Sequence, residues 1–293
     1  METRFSFVIA LAVGFLVVQP AEARILEKNA KVVAATPKKR FCNGPKCASK
    51  LKPLRIKKVA QKNNKVTDIN AWRDAIGYVP GAFDVEQSRA IVPHVPTSYG
   101  LFRLSYTTVA RVGAPVLGVY GTQPPEYKWV PGRFVVLHGA SGQRLHTFDL
   151  DPLLKPANIK EGEADFVRTY IQHAIYHEGV IYAAIAHATY ASSTEGWNAT
   201  LVAIRVATGE VIWQSQPLVA NADRFLVVDD VIFAGYGFTD EPDYLYQINR
   251  HNGRVLAKQK LRSGPKDMYL DHYGQLHIRT YDTNYVFQVR PPR

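Results

Sequence analysis

The chain has 293 residues, with 36 Lys plus Arg against 25 Asp plus Glu and two cysteines. At 46% hydrophobic and 11% aromatic it can bury a core, which excludes wholesale disorder and collagen-like repeats. Two cysteines are too few for a disulfide scaffold of this length.

Arg4 precedes the apolar run Phe5 to Val18, which Gln19 and Pro20 break before Ala21-Glu22-Ala23. A basic start, a short apolar run and a small-x-small site are the layout of a secretory signal peptide over residues 1–23. A membrane anchor needs about 20 apolar residues, more than this run offers. The expected location is outside the cytoplasm, periplasmic or extracellular, with no transmembrane segment after cleavage.

Residues 24–66 carry +13, whereas residues 67–293 carry −1. The basic character therefore belongs to the N-terminal stretch, which has few large apolar residues and no periodicity and is expected to be a mostly disordered tail. It is either an electrostatic arm for an anionic polymer or lipid headgroups, or a solubilising linker. Nucleic acid is the least favoured partner, because only Phe41 interleaves the cations as a stacking platform. Cys42 and Cys47 flank Asn43-Gly44-Pro45, a turn sequence, and are expected to form a local structural disulfide after export.

Residues 67–293 form the expected folded domain. Asp68 to Ala75 has room for a helical turn or two. Beyond it, three segments share a strand, a polar turn with Gly, and a second strand: Phe134 to His146, Leu201 to Trp213 and Leu245 to Ala257. Their turn glycines are Gly142, Gly209 and Gly253, where positive φ is needed. A second hairpin type precedes each, with turns at Val112-Gly113, Glu178-Gly179, Asp229-Asp230 and Tyr273-Gly274. Gly209 to Gly253 and Asp230 to Gly274 both span 44 residues. Four strands in about 44 residues is the size of a propeller blade. The expectation is an all-β, small β-propeller of four four-stranded blades, near 102–150, 170–218, 224–262 and 266–290, with five blades as the alternative. The last blade shows three strands ending at Val289. Its open edge needs a partner, and Ala90 to Val95 is the expected donor. Removing residues up to Val66 is then expected to leave the fold intact.

The run Ala203-Ile-Arg-Val-Ala-Thr-Gly-Glu-Val-Ile-Trp213 resembles the repeat of pyrroloquinoline-quinone-type (quinoprotein-like) propellers, A-x-D-x-x-T-G-x-x-x-W. Ala203, Thr208, Gly209 and Trp213 match, while Arg205 stands in the Asp position. The resemblance implies the fold and a Trp213 docked on the next blade. It does not imply the cofactor, because the repeat marks blade packing, and this body is about half the length of such dehydrogenases and has no cysteine. No cofactor is expected. The non-enzymatic branch of the family supplies the favoured function, an exported, non-catalytic docking module for a protein or cell-envelope component. The alternative is a propeller enzyme, quinone-dependent or carbohydrate-active.

No catalytic residue, cofactor site or metal site is assigned. His173, His177 and His187 read as surface or packing histidines before metal ligands, and the Asp240 to Asp243 stretch as a solvated turn before a Ca²⁺ loop. Asn198-Ala-Thr200 fits a glycosylation sequon. The candidate binding residues are the loop aromatics Tyr127, Trp129, Tyr190 and Trp197, which offer large area with a polar handle.

Overall fold

The computed structural model describes residues 31–32, 51–78, 82–83, 94–109, 115–125, 130–154, 159–164, 167, 169–187, 191–238 and 241–292. The expected signal peptide and the Cys42–Cys47 loop lie outside them. Four strands precede the repeats: β1 (Lys31–Val32), β2 (Arg55–Asn63), β3 (Ala82–Phe83) and β4 (Ser98–Tyr99). The helix α1 (Ile69–Ala75) sits between β2 and β3, entered through a 3₁₀ turn at Val66–Asp68.

Four sheets follow, each built around consecutive antiparallel strands. The first blade is β5 (Phe102–Val109), β6 (Val116–Gly121), β7 (Phe134–His138) and β8 (Arg144–Asp149). The second is β9 (Thr169–His177), β10 (Val180–His187), β11 (Thr200–Arg205) and β12 (Val211–Gln214), preceded by the short helix α2 (Asp151–Leu154). The third is β13 (Leu226–Val228), β14 (Val231–Phe238), β15 (Glu241–Asn249) and β16 (Val255–Lys260). The fourth starts with β17 (Pro265–Leu270), β18 (Gln275–Thr280) and β19 (Thr283–Arg290). Among the described residues there are thus four blades, close to the expected boundaries. On the first blade, β3 and β4 add beside β5, and β1 adds in parallel to β8.

Period-two alternation explains how these runs, apolar on both sides, pack. In β10, Ile181, Ala183 and Ile185 join the core shared with the first blade, while Tyr182, Ala184 and Ala186 join the core shared with the third. In β14, Ile232, Ala234 and Tyr236 face the second blade, and Val231 and Phe233 face the fourth. Each fully buried aliphatic or Phe side chain contributes about 1.5–3 kcal/mol of transfer free energy. Central strands therefore need apolar residues at every position, unlike a sheet with one wet face.

Trp213 is 3% exposed, and its indole N–H donates to Arg250 O at 2.9 Å, in the outer turn of the third blade. A Cβ on Gly253 would lie 2.5 Å from Trp213 Cε3, and this glycine has φ of 70°. The docking implied by the repeat is therefore a knob on a bare backbone. Gly142 and Gly209 also have positive φ.

Two expectations are corrected. The last blade is completed by β2, not by Ala90 to Val95. β19 pairs with β18 on one side and antiparallel with β2 on the other, in a register from Thr283↔Asn63 to Arg290↔Arg55. Both edges of β19 are thus occupied. Residues 84–93 lie outside the described set, and Val95 packs beside Tyr99 on the first blade. The second correction concerns the basic tail. Arg55 to Asn63, inside the 24–66 stretch, is an ordered strand, and Leu51, Leu54 and Ile56 pack against the core between the third and fourth blades. The strand escapes a hydrophobic reading because its inward partner rows need only Ile56; the backbone ladder carries the rest.

Truncation tests this directly. A chain starting at residue 51 should melt like the full chain and remain monomeric. A chain starting at residue 67 should aggregate or unfold, read by size-exclusion chromatography and thermal melts. Trp213→Ala should cost about 3–5 kcal/mol, as for other large core truncations. Gly253→Val should destabilise as well, through both the clash and the positive φ. Wild-type melting of either variant would contradict the docking.

Candidate functional site

The meander topology gathers two sets of connections at one end of the propeller: those joining second to third strands, and those leading from one blade to the next first strand. Neighbouring blades touch through their first strands: β5 and β6 lie against β9, and β13 and β14 against β17.

Near the axis at this end, Asp267 on β17 is fully buried. Its Oδ2 accepts from Arg73 Nε at 3.1 Å and Nη2 at 2.7 Å, and its Oδ1 accepts from Met268 N at 2.9 Å. Arg224 Nε is 3.6 Å from the same Oδ1. The Tyr78 ring stands beside both cations, 5.4 Å from Arg73 Cζ and 5.0 Å from Arg224 Cζ, and 5.1 Å from the Tyr269 ring. This is a charge-paired cation–π cluster. Arg73 belongs to α1, so the connection from β2 to the first blade is clamped onto the fourth blade. Arg279, 2% exposed, reinforces the clamp by forming an ion pair with Asp68 and donating to Lys65 O.

Asp223 lies one residue before Arg224, and its N–H donates to Lys266 O at 2.9 Å. Its side chain is exposed beside the charged groups of this cluster. Desolvation by the surrounding protein pushes the carboxyl up to about 6, and the charge of Asp267 adds to the rise. Its raised pKa brings its titration toward neutral pH. Asp267 is instead paired with two arginines.

Farther out, the loop after β10 carries Trp197, 75% exposed. Its neighbours are fixed. Glu163 Oε1 accepts from Ser192 N at 3.0 Å and Ser192 Oγ at 2.7 Å. Glu163 Oε2 accepts from Ser193 N at 2.7 Å and from the Ser193 hydroxyl. On the other side, Asn198 Oδ1 accepts from His187 N at 3.0 Å, and Asn198 O accepts from Leu218 N at 2.8 Å. An indole is therefore held out on a loop pinned at both flanks. Tyr281, between β18 and β19, is 59% exposed at the same end.

Of the four candidate aromatics, Trp197 is thus placed and exposed, while Tyr127, Trp129 and Tyr190 lie outside the described residues. His173 is buried and stacks on Tyr106 at 6.0 Å, with its pKa lowered by burial to about 3, so it is a neutral packing group. His177 sits at the opposite end, 3.7 Å from Glu178. That end holds a closed network, in which Arg250 reaches Glu178 at 2.7 Å and Asp230 at 3.1 Å. Asn198 is 8% exposed with its Oδ1 engaged, which does not fit a glycan acceptor. The Asp240 to Asp243 stretch is not a turn from Glu241 onward: β15 begins there, and Glu241 accepts from the Tyr236 hydroxyl. Glu163 was legible only as part of a polar insertion, although the Ser192-Ser193 pair it holds is a typical carboxylate partner. Arg279 and Asp267 had one signal, a charge at an inward strand position.

No protein family and no curated relative matches the chain. Solved structures resemble it at low identity. The computationally designed Ika4 protein is 10% identical, with a TM-score of 0.42 over 67% of this chain and 97% of that one. BamB from Moraxella catarrhalis is 12% identical, with a TM-score of 0.32 over 64% of this chain and 70% of that one. A europium-containing methanol dehydrogenase is 7% identical, with a TM-score of 0.37 over 60% of this chain and 39% of that one. These are likenesses of architecture and carry no functional argument.

The serine contacts hold Glu163 down to about 2, below its ordinary value of 4.5. A depressed carboxylate contributes stability above its unfolded pKa and loses it as pH falls through the folded value. The clamp is therefore complete above about pH 4.5 and lost toward about pH 2. Protection of the Ser192 and Ser193 amides, taken as the exchange rate relative to that of an unfolded peptide at the same pH, should stay high across the neutral to mildly acidic range and fall toward pH 2. In Glu163→Ala that protection should be low throughout. Equal exchange in both proteins would refute the clamp.

Proposed function

We propose that this chain is an exported propeller of the quinoprotein-like repeat type that works as a docking module, receiving a protein or cell-envelope partner on the end that carries Trp197. Its export rests on the expected signal peptide. One observation carries the docking reading: a Trp side chain 75% exposed on a loop fixed by Glu163 and Asn198. Holding so large an apolar ring in water is unfavourable, and a rigid presentation removes the ordering entropy a partner would otherwise oppose. Indoles are overrepresented among the residues that dominate binding energy. Tyr281 extends the same end.

The enzyme alternative draws on Asp223, whose raised pKa suits a general acid. Glycoside hydrolysis uses two carboxyl groups, and the other carboxyl of this cluster, Asp267, is paired with Arg73 and Arg224. The docking reading therefore accounts for more of the site.

A photo-crosslinking residue in place of Trp197, expressed in the native cell, should capture a discrete partner in the envelope fraction. In pull-downs, Trp197→Ala should weaken capture by about 2 kcal/mol or more, as for a binding hot spot, with an unchanged melting temperature. Capture at wild-type strength by Trp197→Ala would remove the indole from the interface. Turnover of an aryl glycoside, lost in Asp223→Asn, would favour the enzyme.

A further inference from the structure

The fourth blade has two unlike faces. One packs on the third blade through Leu276, Ile278, Tyr285 and Phe287. The inner part of the other lies under α1 and its ion pairs, as described above. Its outer part, formed by β19 and β2, is strongly basic. Arg55 and Arg290 stand directly opposite one another in the ladder, Lys57 opposes Gln288, and Lys62 opposes Asn284. Arg55, Lys57, Lys62 and Arg290 are all exposed. Neither strand contains an acidic residue. Like charges directly opposite on a sheet are destabilising, and among the described residues no salt bridge to a carboxylate relieves them. Arg55 Nε donates to Pro291 O at 3.0 Å, which orients the guanidinium without neutralising it.

An exposed aromatic lies at the same corner. Tyr273, in the turn between β17 and β18, is 72% exposed. Gln288 Nε2 donates to Tyr273 O at 3.3 Å and to Gly274 O at 3.2 Å, which fixes this turn beside the row opposite Lys57. β2 also begins here, and in sequence it follows residues 24–50, which hold eight further Lys or Arg and one Glu.

We propose that this corner, formed by Arg55, Lys57, Arg290 and Tyr273, docks on an anionic lipid surface. Charge selects an anionic partner. The tyrosine selects a bilayer over a soluble polyanion, because its apolar ring and hydroxyl suit the headgroup boundary, which a dissolved polymer does not offer. The flat face of a sheet can bring several cations to one plane at once. The surface is separate from the Trp197 end, so a propeller held at this corner leaves that end free.

Sedimentation of the full chain with vesicles tests this, using phosphatidylcholine alone and phosphatidylcholine mixed with phosphatidylglycerol. Binding should require the anionic lipid and weaken with salt. At about fivefold per cation, the double variant Lys57→Gln, Arg290→Gln should bind roughly 25-fold more weakly. Charge-conserving Lys57→Arg, Arg290→Lys should bind like wild type, and Tyr273→Ser should lower the binding that remains in high salt. Matching melting temperatures establish that all variants fold. Wild-type binding by the Gln variant would assign the attraction to residues before 51 and overturn the proposal. So would equal binding to neutral vesicles, or capture of soluble polyphosphate without vesicle binding.

Discussion

Every backbone N–H and C=O along a strand must find a partner, and at the outer edge of the fourth blade that partner is β2. Without it, β19 would offer a row of donors and acceptors beside Tyr285, Phe287 and Val289. The pairing does more than hide an edge. It fixes where the following segment starts, so that Asn64 reaches Thr280 O and Asn284, and α1 lands where Arg73 meets Asp267. The axial cluster thus depends on a ladder at the periphery.

The blades differ in what their faces bury. Between the first and second, second and third, and third and fourth, the cores are apolar. The remaining face of the fourth blade instead buries charge, with Arg279 and Asp267 matched by Asp68 and Arg73. Removing one member of such a pair strands the other in low dielectric, which is strongly destabilising. The cluster is therefore a specific lock for α1, in which an apolar contact would tolerate sliding. The nearby Asp223 keeps its solvent access and its freedom to titrate because Asp267 takes the arginines.

The blade pattern was legible in the sequence because turns have chemistry. Gly142, Gly209 and Gly253 mark outer hairpins through positive φ, and the 44-residue spacing follows from them. Trp213 was legible through its repeat, and Trp197 because a large aromatic stood in a polar loop. The donor strand was not. Its residues, Arg-Ile-Lys-Lys-Val-Ala-Gln-Lys-Asn, have no apolar alternation, since an outermost strand is held mostly by main-chain bonds that leave no side-chain signature. Ala90 to Val95 looked more like a strand for the same reason. The clamp on Trp197 joins residues 29 and 30 positions apart, and the Arg73–Asp267 pair joins residues 194 apart. Such pairings have no local spacing to read.

The strand that completes the last blade is synthesised long before the strands it joins. Asn64 and its partner Asn284 are 220 residues apart, and bringing ends that distant together costs on the order of 5 kcal/mol of chain entropy. Until the C-terminal strands exist, β2 has no ladder to join, and its lysines keep it soluble while it waits. Final assembly is thus a late, non-local step, which predisposes the chain to slow folding. The fourth blade therefore cannot lock until β18 and β19 have formed and β2 has joined them, so its outer ladder reports the completion of folding.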